Sequence, residues 1–328
     1  MACTGAKATE SQVTHDHATP TSDSQLAPTS NNGIAPTSVT GIAPTSVSPV
    51  APTFDSVRAW EHLRKQVALG PRPSGSAALN DLRKYILAEL KADGIEARQQ
   101  VFMAQTPLGE VMMSNIIATI PGRRPDRIVI GSHYDTKRAP NFRFVGASDG
   151  ASSTAALLEL GRVLKQRQNE FTTELLFLDG EEAVNWEWRD PDNTYGSRYY
   201  VDAAEKAKTI ASMKAFILLD MIGDKNLLIK RDSYSTPWLV EIVWNAAGRL
   251  GYGGAFSNQL TTVEDDHIAF LRAGVPSVDI IDLDNYAPYW HTAQDDLAHV
   301  SARSLQIVGD TVLAALPDIE TRLTSPRR

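Results

Sequence analysis

Cysteine is nearly missing from this chain. Cys3 is the single one in 328 residues, so no disulfide can form within it. Long apolar runs are missing as well. No stretch of 18 apolar residues occurs, which excludes an ordinary membrane-spanning helix. Positive charge is in the minority, with 32 Lys and Arg against 39 Asp and Glu and a net charge of −7. No basic patch or interleaved basic and aromatic run suggests nucleic acid as a partner. The first 53 residues have almost no large apolar side chains, so they cannot bury enough surface to offset their chain entropy.

That opening stretch has an order of its own. It holds six of the 18 prolines, and APTS recurs at Ala27–Ser30, Ala35–Ser38 and Ala43–Ser46. The period is too short for a solenoid unit. Residues 1–53 therefore read as a disordered Pro/Thr/Ser-rich linker. His15 and His17 fall inside it, and an isolated HDH in such a tail carries no metal site. Met1-Ala2-Cys3 ahead of a Thr/Pro-rich spacer looks like the start of a mature bacterial lipoprotein, although no basic stretch and apolar run stand before it. The expectation is an exported protein, periplasmic or extracellular, lipid-anchored at Cys3.

From Phe54 onward the chain changes character. Phe54–Leu69 has helical spacing, with Val57, Trp60, Leu63 and Val67 on the inward face. Asn80–Ala92 is a second helix, stopped by Asp93-Gly94. Ile95–Met103 and Glu110–Ile120 read as a strand pair at a sheet edge. Short, wholly apolar strands follow at IVIGSH, LLFL and AFILLD (215–220), and PSVDII (276–281) is a fourth. Helices are expected at Ala151–Gln166, Ser197–Lys206, Pro237–Leu250, Asp266–Ala273 and Ser301–Leu316. Apolar strands alternating with helices predict a three-layer α/β fold, its mixed, largely parallel sheet covered on both faces. Ligands in such folds bind beyond the carboxyl ends of the strands.

Chemistry-bearing residues stand at those ends: His133 in IVIGSHYDTK, Asp149 in VGASDGASS, Glu182 in LLFLDGEEAV, Asp220 in FILLDMIGD and His291 in APYWHTAQDD. Each alone has a plain structural explanation. His133 could be a buried, hydrogen-bonded histidine, Asp149 a helix N-cap, and His291 a surface loop residue. Together, two histidines and three carboxylates delivered to strand ends form a donor set suited to Zn²⁺, as one ion or two. Glu181 directly precedes a proposed ligand and is placed to shuttle protons. Asp135 could accept the second ring N–H of His133 and fix its tautomer. His267 reads as orienting its neighbours, and His62 and His299 as structural or exposed.

These motifs, in this order, resemble the zinc aminopeptidase superfamily that also contains the animal-type glutaminyl cyclases. The resemblance covers about residues 55–317. It implies a zinc exopeptidase-like catalytic domain over 54–328. It implies metal positions at His133, Asp149, Glu182, Asp220 and His291, with Asp135 as the orienting acid and Glu181 as general base. HYDTK, FVGASDGA, FLDGEEAVNWEW followed by YGSR, EDDHIAFLRAGVP and YWHTAQDD are more similar to the cyclases. That branch implies one zinc on Asp149, Glu182 and His291. It implies a proton relay through Asp220 and Asp265, and a pocket walled by Trp290 and by Trp188 or Trp186, with Trp188 the better match. Asp279 stands where animal cyclases carry a histidine. The implied activity is cyclisation of an N-terminal Gln on peptides or proteins to pyroglutamate with release of ammonia, by a monomer. A two-zinc aminopeptidase is the alternative, and a catalytically inactive binding ectodomain a remote one.

Overall fold

The computed structural model describes residues 53–325, so the linker, with Cys3, His15 and His17, lies outside the described residues. The elements run α1 (Ser56–Leu69), α2 (Ala77–Ala92), β1 (Glu96–Thr106), β2 (Gly109–Ile120), β3 (Arg124–His133), α3 (Ala151–Gln166), β4 (Phe171–Leu178) and α4 (Tyr195–Lys206). They continue with β5 (Met213–Asp220), β6 (Ile229–Asp232), α5 (Pro237–Arg249), β7 (Phe256–Thr261), α6 (His267–Arg272), β8 (Ser277–Ile281), α7 (Leu283–Tyr286) and α8 (Ala302–Thr324).

Six strands form the central sheet in the order β1-β2-β4-β3-β5-β8. The β1–β2 hairpin is antiparallel and pairs antiparallel with β4, while β4, β3, β5 and β8 run parallel. Alternate residues of each strand face opposite layers. Ile128, Ile130, Leu175, Phe177, Ile217 and Leu219 pack with α1, α2, α3, α5 and α8. Val129, Leu176, Leu178, Phe216 and Leu218 pack with α4 and α6. Burial on both faces explains why these strands are uninterrupted apolar runs. Among the described residues, no helix is long and apolar enough to cross a membrane.

Two local expectations are corrected, and one strand pair is added. Val57 does not face inward; it is 70 % exposed, and α1 buries Ala59, His62, Leu63 and Gln66 instead. Asp55 caps α1 by accepting from the Val57 and Arg58 amides, which places Val57 in the solvent-facing first turn. The last helix does not stop before Pro317 but runs through it to Thr324, with Ile319 and Glu320 buried. There the packing of the next turn outweighs the amide hydrogen bond that proline cannot make. The short parallel pair β6–β7 was not expected at all. Its strands mix charge and polarity and carry no apolar run.

Candidate active site

Because β3, β4 and β5 run parallel, their carboxyl ends open on one edge of the sheet. His133 ends β3, Asp220 ends β5, and Glu181 and Glu182 follow β4 across a turn at Gly180. Asp149 arrives from the loop before α3, and His291 from the loop after α7. His133 Nε2 lies 3.0 Å from Asp220 Oδ1 and 3.2 Å from Asp149 Oδ1. His291 Nε2 lies 3.4 Å from Asp149 Oδ2 and 3.2 Å from Glu182 Oε1. Two groups result, His133–Asp149–Asp220 and Asp149–Glu182–His291, with Asp149 common to both. Within each, the donor atoms lie within 4.8 Å of one another. Asp149 Oδ2 and Glu182 Oε2 are buried without a hydrogen-bond partner. Such orphaned oxygens cost about 1–3 kcal/mol each, and a divalent cation would satisfy both. The imidazole and carboxylate set fits zinc.

The electrostatics follow from burying so many acids together. Burial pushes Glu181 well above the ordinary carboxylate range, and the neighbouring Glu182 adds to it against the pull of His133. Asp149 is displaced downward. Burial opposes this, but the His133 and His291 imidazoles beside it outweigh it. Burial alone would lower His291, yet the Glu182 carboxylate, bonded to it, and the nearby Asp149 carboxylate raise it to about 9. Asp265 is pushed up to about 7 by burial and by Asp220.

Backbone devices hold the geometry. Asp135 Oδ1 sits 3.5 Å from His133 Nδ1 and accepts the Glu181 amide, while its Oδ2 accepts the Glu182 amide. One carboxylate thus fixes the loop bearing both glutamates and stands beside His133, whose Nδ1 makes no hydrogen bond. Asp149 makes no cap; the N-cap of α3 is Gly150, which has no side chain to bond with, so the Asp149 carboxylate stays free for the cluster. Gly150 has φ +84°, and a Cβ there would sit 2.7 Å from Asp135 O and 3.0 Å from the His133 ring. His291 itself adopts φ +51°, a left-handed conformation uncommon outside glycine.

Two supporting residues escape the sequence reading. Asp295 accepts the Ser148 and Asp149 amides and the Tyr286 hydroxyl, tying the Asp149 loop to the His291 loop. Burial and the Asp149 charge push it up to about 7. It lies in the polar run TAQDD, which reads as an ordinary loop. Lys137 is 1 % exposed; its Nζ donates to Ala183 O and stands 3.7 Å from Glu182 Oε2.

A cavity of about 240 Å³ opens onto the cluster. Glu181, Asp265, Trp188 and Trp290 line it together with Asp149, Glu182, Asp220 and His291. Trp186 does not. It is 54 % exposed and leans against the outer side of His291, with ring centroids 5.8 Å apart, so its place as a pocket wall is corrected. The stretch from Glu181 to Tyr195 folds so that Trp188 turns inward and Trp186 outward. His267 does not reach the cavity. It is fully buried behind it, 3.2 Å from Asp232 and 3.8 Å from Asp279, whose own carboxyl burial pushes far up.

The sequence over residues 115–316 matches the family model described as Peptidase family M28. The chain belongs to peptidase family M28. A mouse glutaminyl-peptide cyclotransferase-like protein is 31 % identical over 275 residues, covering 75 % of this chain and 71 % of that one. A crystal structure of a glutaminyl cyclase from an Acidobacteriales bacterium is similar with 38 % identity and a TM-score of 0.78, over 86 % of this chain and 99 % of that one. A Zn-dependent exopeptidase from Parabacteroides distasonis is similar with 27 % identity and a TM-score of 0.74, over 81 % and 99 %.

Proposed function

We infer that this M28 chain is a zinc-dependent glutaminyl-peptide cyclotransferase, converting an N-terminal Gln of peptides or proteins to pyroglutamate and releasing ammonia. The observation that carries the reading is Glu181: a buried carboxyl facing a small cavity between Trp188 and Trp290, beside the Asp149–Glu182–His291 group. Similarity to a cyclotransferase-like protein and to a solved glutaminyl cyclase supports it.

In this reading Asp149, Glu182 and His291 hold one zinc, and His133 and Asp220 complete a second position if the site is dinuclear. When bound, zinc supplies Lewis acidity toward the γ-carbonyl. The chain's own groups do the rest. The indole walls hold the Gln side chain folded back toward its own α-amine and keep water out. The α-nitrogen forms a bond to the side-chain carboxamide carbon, Cδ, while the bond from that carbon to its amide nitrogen breaks. Glu181 takes one proton from the attacking amine and returns it to the departing nitrogen, which leaves as NH₃. Asp265 and Asp220 line the cavity as relay partners, Asp135 and His267 hold neighbouring groups in place, and the domain comprises residues 54–328. Export with lipidation at Cys3 and action as a monomer complete the reading.

The test is direct. Purified protein with zinc is offered a Gln-initiated and a Leu-initiated peptide. Loss of one ammonia mass from the former is the expected result. Free leucine from the latter, with no cyclisation, would replace this reading with the aminopeptidase one that the His133–Asp149–Asp220 group invites.

A further inference from the structure

Asp149 is common to both donor groups, and its direction is set by the loop that carries it. Asp295 grips that loop by its amides. Arg72 grips it by its carbonyls. This arginine is fully buried; its Nη1 donates to Val145 O at 2.8 Å, Gly70 O at 2.9 Å and Gln66 O at 3.2 Å, and its Nη2 to Gly146 O at 3.4 Å. Its main chain is pinned as well. The Arg72 amide donates to Thr136 Oγ1 and the Thr136 amide to Arg72 O. Gln66, in the last turn of α1, donates through Nε2 to Ala151 O just beyond Asp149. The end of α1 therefore brackets the loop on both sides of the Ser148 and Asp149 amides that Asp295 holds. Within the bracket the chain turns at Gly146, with φ +51°, where a Cβ would sit 2.4 Å from Asp149 O.

Among the described residues Arg72 bonds to no carboxylate, only to carbonyls. Burial pulls its guanidinium down to about 10, and the more distant Asp295, Asp135 and Asp149 work against that, so it stays charged at neutral pH. A buried charge without an ion partner is costly. The carbonyls at the negative, C-terminal end of α1 offset part of that cost. The guanidinium contributes geometry: one rigid fork reaches from the helix end to two consecutive carbonyls of the metal loop. We propose that Arg72 is a positioning residue of the metal site, which through the Val145 and Gly146 carbonyls aims the Asp149 carboxylate at the place between His133 and His291. This rests on zinc binding at Asp149 and not on which reaction the site then runs. Position and charge predict opposite signs. Deleting a positive charge near a cation site by itself tightens the cation. Deleting a clamp on a ligand loosens it.

The experiment measures zinc affinity by dye competition, and the melting temperature with and without zinc, on the full chain. Arg72→Met keeps an apolar stem and loses both fork and charge. Arg72→Lys keeps the charge but presents a single nitrogen on a shorter stem. Both variants should bind zinc about tenfold more weakly than the wild type, the low end of the range for losing a partner that orients a metal ligand. Zinc should accordingly raise their melting temperatures less than it raises the wild type's. Arg127→Met is the control. It breaks the pair with Glu174 at the amino end of β3, away from the site, so it should lower the melting temperature equally with and without zinc and leave zinc affinity unchanged. Zinc binding in Arg72→Met as tight as in the wild type, or tighter, overturns the proposal and leaves Arg72 a structural or purely electrostatic residue. Should Arg72→Met fail to fold, Arg72→Lys decides, and wild-type zinc affinity in that variant overturns the proposal equally. A wild type that binds no zinc overturns the metal-site reading itself.

Discussion

Replacing Asp295 by alanine should damage stability and metal retention together. The carboxylate has three donors in the fold: the Ser148 amide at 2.7 Å, the Asp149 amide at 3.1 Å and the Tyr286 hydroxyl at 2.8 Å. All lie in buried surroundings, and a buried donor left unpaired costs about 1–3 kcal/mol. Part is returned, because burial and the Asp149 charge make this carboxylate costly to ionise and raise it to about 7. Taking about 2 kcal/mol for each donor, about 6 in all, and allowing about half of it back for that relief, the net loss is about 3 kcal/mol. A domain of this size loses about 2–4 °C per kcal/mol, so the melting temperature should fall by about 6–12 °C. The Asp149 carboxylate then hangs from an untethered loop, and losing a supporting partner typically weakens metal affinity about 10–100-fold. Thermal denaturation and competition with a zinc-binding dye read the two effects. Asp295→Asn retains one acceptor oxygen and should fall between. A melting temperature within about 2 °C of wild type together with unchanged zinc competition would refute the clamp.

Three more outcomes are expected. Glu181→Gln should keep zinc and fold but lower kcat at least about 10²-fold, and near-normal turnover would move the proton transfer to another group. Trp290→Ala should raise KM and cut kcat/KM for Gln-peptides by about 1–3 kcal/mol with zinc retained, since the ring lines the cavity; unchanged kinetics would place the substrate elsewhere. His62 is pushed down to about 4, by burial first and then by Arg58. Its folded value lies below the unfolded one of about 6.5, so the stability it supports is complete above that pH and is lost as pH falls toward 4. From pH 7 to 5 this amounts to about 2 kcal/mol, and His62→Gln should lack that slope in denaturant unfolding at the two pH values.

What could be read from the chain depended on how strongly burial marks it. IVIGSH, LLFL and AFILLD are buried on both faces, so their composition announces strands, and the polar residue ending each run stands out against it. That is why His133 and Asp220 were visible as candidates. Asp295 was not, because its role is made by backbone amides 146 and 147 residues away and nothing in TAQDD signals them. Trp186 and Trp188 differ by one turn of an irregular loop, which no periodicity resolves. Helix α8 ran past its apparent stop because Ile319 packs into the core beyond Pro317.

The scatter of the donors along the chain carries a consequence for how the molecule assembles. No short segment holds a complete group: His133, Asp149, Glu182, Asp220 and His291 are brought together only when β3, β4 and β5 have paired and the loop after α7 has docked. In the unfolded chain these groups are far apart and loop closure between them is costly. Zinc in this site would therefore arrive last. It would find a nearly finished sheet edge whose buried acids repel one another, and would hold it shut. Its effect should be felt as slower unfolding more than as faster folding, a lock on the completed architecture and not its seed.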